Sequence, residues 1–225
     1  VNGRGNAGGA IYAKGNSTVH LGGTIVLAHN YASSGGAIYV DKSRLSWDGN
    51  VTFANNTVGG TVDFGPDGGA LYAVKSVVNS SGTTTFVNNN AGEDGGAVRI
   101  HYESRILFYG HTSFIDNQSE RNGGALMATD NSWVEFFGTT IAMGSFAGIQ
   151  GGAFWLGGDT YRTSTMIFRG DIDVSNNRAG NSGGAIFVDE NCEISWNDTM
   201  TLSENKADED GGAISVVGDS TLTIR

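Results

Sequence analysis

The sequence predicts an all-β fold, a right-handed single-stranded parallel β-helix of roughly seven to eight rungs. The first observation is the tripeptide Gly-Gly-Ala, which occurs eight times at intervals of 27, 33, 27, 28, 28, 32 and 28 residues. The second is a set of short segments in which apolar residues alternate with others, the pattern of a strand with one buried face. The third is an asparagine that recurs near the end of most repeats. Together they indicate rungs of about 27–28 residues with three strands each.

The first strand of each rung follows the double glycine. Ile38-Tyr39-Val40 shows the pattern, in which the first and third residues are apolar in every repeat and the second varies. Glycine at the repeat start permits a positive φ and lets neighbouring turns approach closely. The double glycine is therefore predicted to turn the chain into this strand.

The second strand begins at a small residue and usually ends at a glycine turn, as in Ser132 to Gly138. Cys192 replaces the serine in one rung and is the only cysteine, which excludes an internal disulfide framework. We interpret Cys192 as a serine substitute in a turn rather than as a nucleophile or metal ligand.

The second inward residue of the third strand lies three residues before the recurring asparagine, as Phe53 does before Asn56. Asparagine tolerates a left-handed backbone and hydrogen-bonds both within its own turn and to the next. We predict a structural asparagine ladder, with the column Phe53, Phe86 and Phe114 beside it in the core. The ladder residues are Asn30, Asn56, Asn89, Asn117, Asn177 and Asn205.

Other repeat folds do not fit this spacing. Three strands with their turns leave no room for a helix of about ten residues in a repeat, and a propeller blade needs four strands in about 40–45 residues. A coil with equivalent strands stacked about 4.8 Å apart satisfies the interior backbone groups. Right-handedness is the rule for parallel connections.

The whole chain, 1–225, is predicted to be one β-helix domain, with insertions at 57–67 and 157–163 that we interpret as surface loops. Asn2 lies at the ladder spacing before the first double glycine, and Arg225 falls within a second strand. Because terminal rungs need caps or further repeats, we expect a fragment of a longer array, or head-to-tail packing of copies.

The paired motifs resemble the repeats of a known family. Gly-Gly-Ala-Ile alternates with Phe-x-x-Asn in the segments from Phe53 to Asn56, Phe86 to Asn89 and Phe114 to Asn117. This alternation is similar to the repeats of chlamydial polymorphic outer-membrane proteins, and the similarity extends over essentially the whole chain. Members of that family are surface-displayed autotransporter adhesins. The resemblance therefore implies an extracellular or cell-surface passenger β-helix.

Charge and hydropathy restrict the partners. The formal net charge is −10, and no lysine or arginine cluster is evident along the sequence, so nucleic acid and anionic membrane surfaces are poor partners. No long apolar run is present, so direct membrane insertion is not expected. Acidic residues precede several double glycines at Asp67, Glu93-Asp94 and Asp208 to Asp210. We interpret them as a solvated turn rather than a calcium site, and we predict no metal and no cofactor.

One outward column is apolar. The middle residue of the first strand is aromatic or methionine in six rungs, broken by Arg99 and Ser215. Stacked at the spacing of the rungs, these side chains predict an exposed aromatic strip about 30 Å long. Such a strip suits a protein or carbohydrate surface, or copies of the chain itself; alternatively, it only stiffens the sheet. Its residues are Tyr12, Tyr39, Tyr72, Met127, Trp155 and Phe187.

Catalysis is the first rival function, because many parallel β-helices are polysaccharide lyases or hydrolases. Those reactions need clustered carboxylates, or a carboxylate with a basic residue, on neighbouring rungs. Asp171 and Asp173 lie on one strand without such neighbours, and the four histidines occupy different repeat positions. We therefore predict no catalytic residues and no enzyme.

Six Asn-x-Ser/Thr sequons are present, a slight excess over chance. Asn117 belongs to the predicted ladder and is expected to stay unmodified. The candidate N-glycosylation sites are Asn16, Asn50, Asn55, Asn79 and Asn197.

The sequence as a whole favours an extracellular structural or adhesive β-helix, acting in cell-surface adhesion or as a passenger stalk. The alternatives are a building block of an extracellular fibre that assembles end to end, and a polysaccharide lyase or hydrolase.

Overall fold

The computed structural model describes residues 3–59, 67–158 and 161–224. Within these ranges the chain forms a parallel β-solenoid of about seven turns, with about 28 residues per turn and no helix. The described residues consequently include no helix that is long and apolar enough to cross a bilayer. Equivalent strands pair in parallel and in register; Ile38, for example, is paired with Ile11 on one side and with Leu71 on the other. The predicted all-β solenoid is confirmed.

Sheets 1 and 2 contain the first and second strands of the rungs, eight strands each. Sheet 1 consists of Ile11–Lys14, Ile38–Asp41, Leu71–Val74, Val98–His101, Leu126–Ala128, Phe154–Leu156, Ile186–Val188 and Ile214–Val216. Sheet 2 consists of Thr18–Leu21, Arg44–Trp47, Val77–Ser80, Arg105–Phe108, Trp133–Phe136, Thr165–Phe168, Glu193–Trp196 and Thr221–Ile224.

Sheets 3 and 4 have seven strands each. Sheet 3 consists of Ile25–Ala28, Val51–Ala54, Thr84–Val87, Thr112–Ile115, Thr140–Met143, Ile172–Ser175 and Met200–Ser203. Sheet 4 consists of Tyr31–Ala32, Thr57–Val58, Asn90–Ala91, Gln118–Ser119, Phe146–Ala147, Arg178–Ala179 and Lys206–Ala207. These two-residue strands add a fourth side to the three strands predicted per rung. They are too short to show a two-residue alternation in the sequence.

The two glycines of each pair have different tasks. Gly95, the first of its pair, has a φ of +65°, which glycine adopts without strain. Gly96, the second, lies where a Cβ atom would overlap the carbonyl oxygen of Gly124 in the next rung. The same Cβ would lie 2.5 Å from the carbonyl carbon of Gln118 in sheet 4. The first glycine therefore makes the turn, and the second allows the backbones to approach.

The asparagines form a hydrogen-bonded ladder inside the solenoid. The side-chain oxygen of Asn89 accepts bonds of 3.0 Å from both the backbone N–H and the Nδ2 of Asn56. Asn117 does the same for Asn89. Nδ2 of Asn89 also donates to the carbonyl oxygen of Phe53. The buried amides of Asn56 and Asn89 are thus satisfied by the rungs on either side, which removes a cost of about 1–3 kcal/mol per unpaired group.

A second ladder runs along the corner where the second strands begin. The backbone N–H of Ser43 donates to Oγ of Ser76, and that of Ser76 donates to Oγ of Ser104, both at 3.1 Å. Cys192 occupies this column, and its N–H donates to Oγ of Ser220. Its thiol is buried, and burial raises the pKa of Cys192 to about 11. A thiol that stays protonated fits the interpretation of Cys192 as a serine substitute.

The core contains two parallel columns of aromatic rings. The predicted column is stacked, with centroids 4.7 Å apart between Phe53 and Phe86 and 5.0 Å apart between Phe86 and Phe114. A second column, which the sequence analysis did not single out, comes from sheet 2 and stacks Phe108, Phe136 and Phe168. Phe108 meets Phe86 and Phe114 edge to face. The two columns therefore interlock along the axis.

Candidate functional site

The predicted aromatic strip is open only at its first rungs. Tyr12 is 54% exposed, and Tyr39 is partly buried. The remaining four residues, Tyr72, Met127, Trp155 and Phe187, are all buried, with at most 8% of their surface exposed. The prediction that the strip is exposed over about 30 Å is therefore wrong beyond Tyr39. Recognition through Tyr12 and Tyr39 stays a prediction.

The strip is buried because its members cover one another. Met127, Trp155 and Phe187 form an apolar cluster separate from the main core. The rings of Trp155 and Phe187 are stacked, and the indole N–H of Trp155 donates to Oε1 of Gln150 at 3.3 Å. The alternation of residues along a strand predicts which face of the sheet a side chain lies on, but not how far neighbouring side chains bury it.

Arg99 interrupts the strip and pairs with the acidic corner. It is 6% exposed, and its Nε lies 3.5 Å from Oδ2 of Asp67. Burial raises the pKa of Asp67 to about 6, although Arg99 acts in the opposite direction. This ion pair was not predicted, because Arg99 and Asp67 occupy different positions of their repeats.

The acidic corner is partly a ladder, not a solvated turn. Asp67 and Asp94 are both buried. Oδ1 of Asp67 accepts the backbone N–H of Asp94 at 3.2 Å, and Oδ1 of Asp94 accepts that of Asn122 at 3.1 Å. The solvated-turn interpretation is therefore wrong for these two residues. The described part of the chain contains no group of three or more histidine, cysteine, aspartate or glutamate side chains arranged to hold a metal ion.

A polar chain of Tyr72, His101 and Asp130 follows the corner after sheet 1. The Tyr72 hydroxyl lies 3.0 Å from Nδ1 of His101, and Nε2 of His101 lies 2.6 Å from Oδ2 of Asp130. Burial, and after it the charge of Arg99, lowers the pKa of His101 to about 4, with Asp130 acting in the opposite direction. The imidazole is therefore neutral at pH 7. Nε2–H donates to Asp130, and Nδ1 accepts from Tyr72.

The hydrogen-bonded series of Tyr72, His101 and Asp130 predicts a pH-dependent contribution to stability. The pKa of His101 is lowered from 6.5 to about 4 in the folded state. Between these pH values His101 is therefore protonated in the unfolded state and neutral in the folded state, which favours unfolding. The contribution is present above pH 6.5 and is lost as the pH falls toward 4. We expect the free energy of unfolding of the parent, relative to His101→Gln, to decrease over that range in urea titrations. His20→Gln, on the exposed surface, is the matched control; a parent and His101→Gln with parallel pH profiles would contradict the assignment.

One insertion reaches this polar chain. Arg162, from the insertion at 157–163, lies 3.3 Å from Oδ1 of Asp130, and its guanidinium lies 5.6 Å from the Tyr102 ring centroid. Residues 159 and 160 lie outside the described residues, as do residues 60–66 of the insertion at 57–67. The second insertion thus contacts the same corner, an arrangement that the sequence alone does not show.

A concavity of about 330 Å³ opens beside this corner. It contains three of the four lysines of the chain, which corrects the expectation that no lysine cluster exists. Strip residues Tyr39 and Tyr72 also line it. The lining residues are Lys14, Tyr39, Asp41, Lys42, Tyr72, Val74, Lys75, His101 and Tyr102.

A second ionic cluster lies on the outer face of sheet 2. Glu135 is buried between the rungs of Arg105 and Arg169. Its Oε2 accepts from the Trp133 indole at 3.1 Å and lies 3.6 Å from Arg105, and its Oε1 accepts from Arg169. A carboxylate with basic residues on neighbouring rungs is therefore present, contrary to the sequence reading. Both of its oxygens already have partners.

The candidate glycosylation sites differ in exposure. Asn16, Asn50, Asn55 and Asn197 are exposed, and Asn79 is partly buried. Modification of these residues stays a prediction. Asn117 is buried in the ladder.

The fold and its internal ladders define the protein as a parallel β-solenoid built from Gly-Gly-Ala and Phe-x-x-Asn repeats. The family model described as the Chlamydia polymorphic membrane protein repeat matches residues 50–74, 171–189 and 199–217. Each match includes a third strand and the first strand of the next rung. These three segments of the chain therefore match the repeat of this family, and the resemblance predicted from the motifs is confirmed.

The other comparisons add no relative: neither the curated proteins nor the solved structures contain a significant match to the chain. Members of the polymorphic membrane protein family are outer-membrane or surface proteins, which suggests a cell-surface location and a passenger-type β-helix.

Proposed function

We propose that the protein is an adhesive passenger β-helix that acts outside the cell, at the cell surface. The observation that supports this most directly is the match to polymorphic membrane protein repeats in a chain that forms a continuous solenoid. The rigid, repetitive body holds surface groups in fixed positions over several rungs. The role requires neither a cofactor nor a metal.

The exposed aromatic side chains of the first rungs favour recognition by this end of the solenoid. Tyr12 and Tyr39 are stacked with centroids 5.5 Å apart, and Tyr12 is exposed. Aromatic rings of this kind suit protein or carbohydrate surfaces. The lysine-lined concavity lies beside them. We therefore assign adhesion to this end of sheet 1 rather than to the buried part of the strip.

The proposed role is non-catalytic. Glu135 is flanked by two arginines, and both of its carboxylate oxygens have partners within the protein. Glycoside hydrolysis uses two carboxylates that remain available to substrate and water. Because its carboxylate oxygens are already bonded to neighbouring side chains, Glu135 is better suited to a structural role than to catalysis.

Adhesion is tested with beads that carry the purified chain. We expect the coated beads to bind cultured cells at least tenfold above beads that carry albumin. Tyr12→Ser/Tyr39→Ser is expected to lose most of this binding while keeping the parent's melting temperature within a few degrees. The matched control is Tyr109→Ser/Phe137→Ser, which removes another exposed aromatic pair. Binding of the parent no higher than that of albumin would overturn the proposal.

A further inference from the structure

Lysine is concentrated in one place on this acidic protein. The chain has four lysines and a net charge of −10, yet Lys14, Lys42 and Lys75 line a single concavity. Lys42 and Lys75 also line an adjoining concavity together with Arg44. The corner between sheets 1 and 2 is therefore a local basic surface in the first rungs.

The register of sheet 1 builds this concavity. Val74 is paired with Asp41 on one side and with His101 on the other, so a short apolar side chain lies between two longer polar ones. Lys42, Lys75 and Tyr102 each follow the last residue of these strands and form the corner wall. Tyr39 and Tyr72 form the opposite wall.

The two corner lysines adopt a backbone conformation that lysine disfavours. Lys42 and Lys75 have φ values of +49° and +47°. The equivalent position in the first rung is Gly15, with φ +71°. Asn131 and Asn191 have positive φ at the same corner of later rungs. Tyr102 and Asp130 also have positive φ at this corner, with values of +48° and +57°. The conformation therefore belongs to the corner of the solenoid, and in these two rungs it carries lysine side chains.

The positive charges are only partly balanced. Lys14 lies 3.4 Å from Oδ2 of Asp41, the only carboxylate that lines the concavity within the described residues. The Lys75 ammonium lies 5.7 Å from the Tyr102 ring centroid. No ion pair joins Lys42 or Lys75 to a carboxylate in the part of the chain that the structure describes. Two like charges on adjacent rungs repel each other, and a bound anion would relieve that repulsion.

The walls add groups that recognise a sugar ring. Burial raises the pKa of Tyr39 to about 12, so its hydroxyl keeps its proton and can donate. Tyr102 is partly exposed, and one side of its ring stacks on His101 with centroids 3.8 Å apart. The volume of about 330 Å³ is at the lower end of the range of small-ligand sites. A carboxylated pyranose combines an anion with hydroxyl and C–H groups that suit these walls.

We propose that this concavity binds a carboxylated sugar unit of a glycan, with Lys42 and Lys75 holding the carboxylate and with Tyr39 and Tyr102, which are not buried, contacting the ring. The biological meaning of such binding rests on the adhesive function proposed above. The binding itself is a property of the isolated chain.

The test is calorimetric titration of the parent protein with two pairs of saccharides. Each pair consists of a carboxylated probe and a neutral counterpart: sialyllactose with lactose, and a trimer of galacturonic acid with a trimer of galactose. We expect at least one carboxylated probe to bind tenfold or more tightly than its neutral counterpart. Lys42→Asn/Lys75→Asn should lose that difference. Because asparagine tolerates the left-handed backbone, this variant should melt no lower than the parent.

Lys206→Asn is the charge control, since Lys206 is the fourth lysine and is exposed in sheet 4. Equal binding of the carboxylated and neutral probes would overturn the proposal, as would sodium acetate binding as tightly as the carboxylated sugars. An equal loss in Lys206→Asn would show a general charge effect and would also overturn it. If the carboxylated saccharides do not bind but the coated beads still adhere to cells, only the proposed ligand is contradicted. If the saccharides bind but the beads do not adhere, only the proposed adhesive function is contradicted.

Discussion

Gly96→Ala is expected to destabilise the solenoid by more than about 3 kcal/mol, or to prevent folding. Its Cβ would overlap the carbonyl oxygen of Gly124 and lie 2.5 Å from two atoms of the Gln118 backbone. Backbone atoms of two strands surround the position, so no side-chain movement removes the overlap. The rungs would have to separate, and the hydrogen bonds between them would lengthen. Urea denaturation followed by circular dichroism measures the effect.

The repeat supplies a matched control at the same motif position. Gly212 is also the second glycine of a Gly-Gly-Ala triplet, but in this chain its Cβ would meet only the Asn205 carbonyl oxygen, at 3.8 Å. Gly212→Ala should therefore cost well under 1 kcal/mol, within the usual range for an open position. If Gly96→Ala and Gly212→Ala have equal midpoints, close approach of the rungs is not the reason for the second glycine.

The sequence predicts the fold well because the repeat shows the same constraint many times. A glycine that must adopt φ +65° and an asparagine that bonds to the next rung recur because every rung has the same geometry. The two-residue strands of sheet 4 were missed, since their pattern is only one buried small residue such as Ala91. The serine ladder was visible as a column of small residues, but its hydrogen bonds were not.

The candidate site was less predictable because it depends on differences between rungs. Alternation placed Tyr72 and Trp155 on the outer face but did not show that neighbouring side chains bury them. The lysine cluster left a signal that could have found it: Lys14, Lys42 and Lys75 are separated by 28 and 33 residues, close to the local repeat spacing. Net charge averaged along the sequence conceals such a cluster.

The two outer ionic clusters illustrate a general property of solenoids. Arg99 pairs with Asp67, and Glu135 pairs with Arg169 one rung away. Partners that are about 30 residues apart in sequence become nearest neighbours, so local charge patterns carry little information about them. The lysine concavity differs from both clusters, because two of its three lysines, Lys42 and Lys75, have no ion-pair partner among the described residues. That imbalance makes it the better candidate for an external ligand.

Phe86→Ala is expected to lower the free energy of unfolding by about 3–5 kcal/mol. Phe86 is fully buried in the middle of its column, stacked on Phe53 and Phe114 and in edge contact with Phe108. Its removal leaves a cavity that two interlocked columns border, and collapse into it would disturb the register of the neighbouring rungs.

The control for this truncation is Phe137→Ala, which removes the same side chain from an exposed position that is 37% accessible. Phe137 stacks on Tyr109 and lies beneath Arg169, so its loss should cost about 0.5–1.5 kcal/mol. Phe86→Leu, which retains most of the buried volume, should fall between the two. Equal unfolding free energies for Phe86→Ala and Phe137→Ala would mean that the aromatic column does not hold the rungs together, and the stability would then have to come from the asparagine and serine ladders alone.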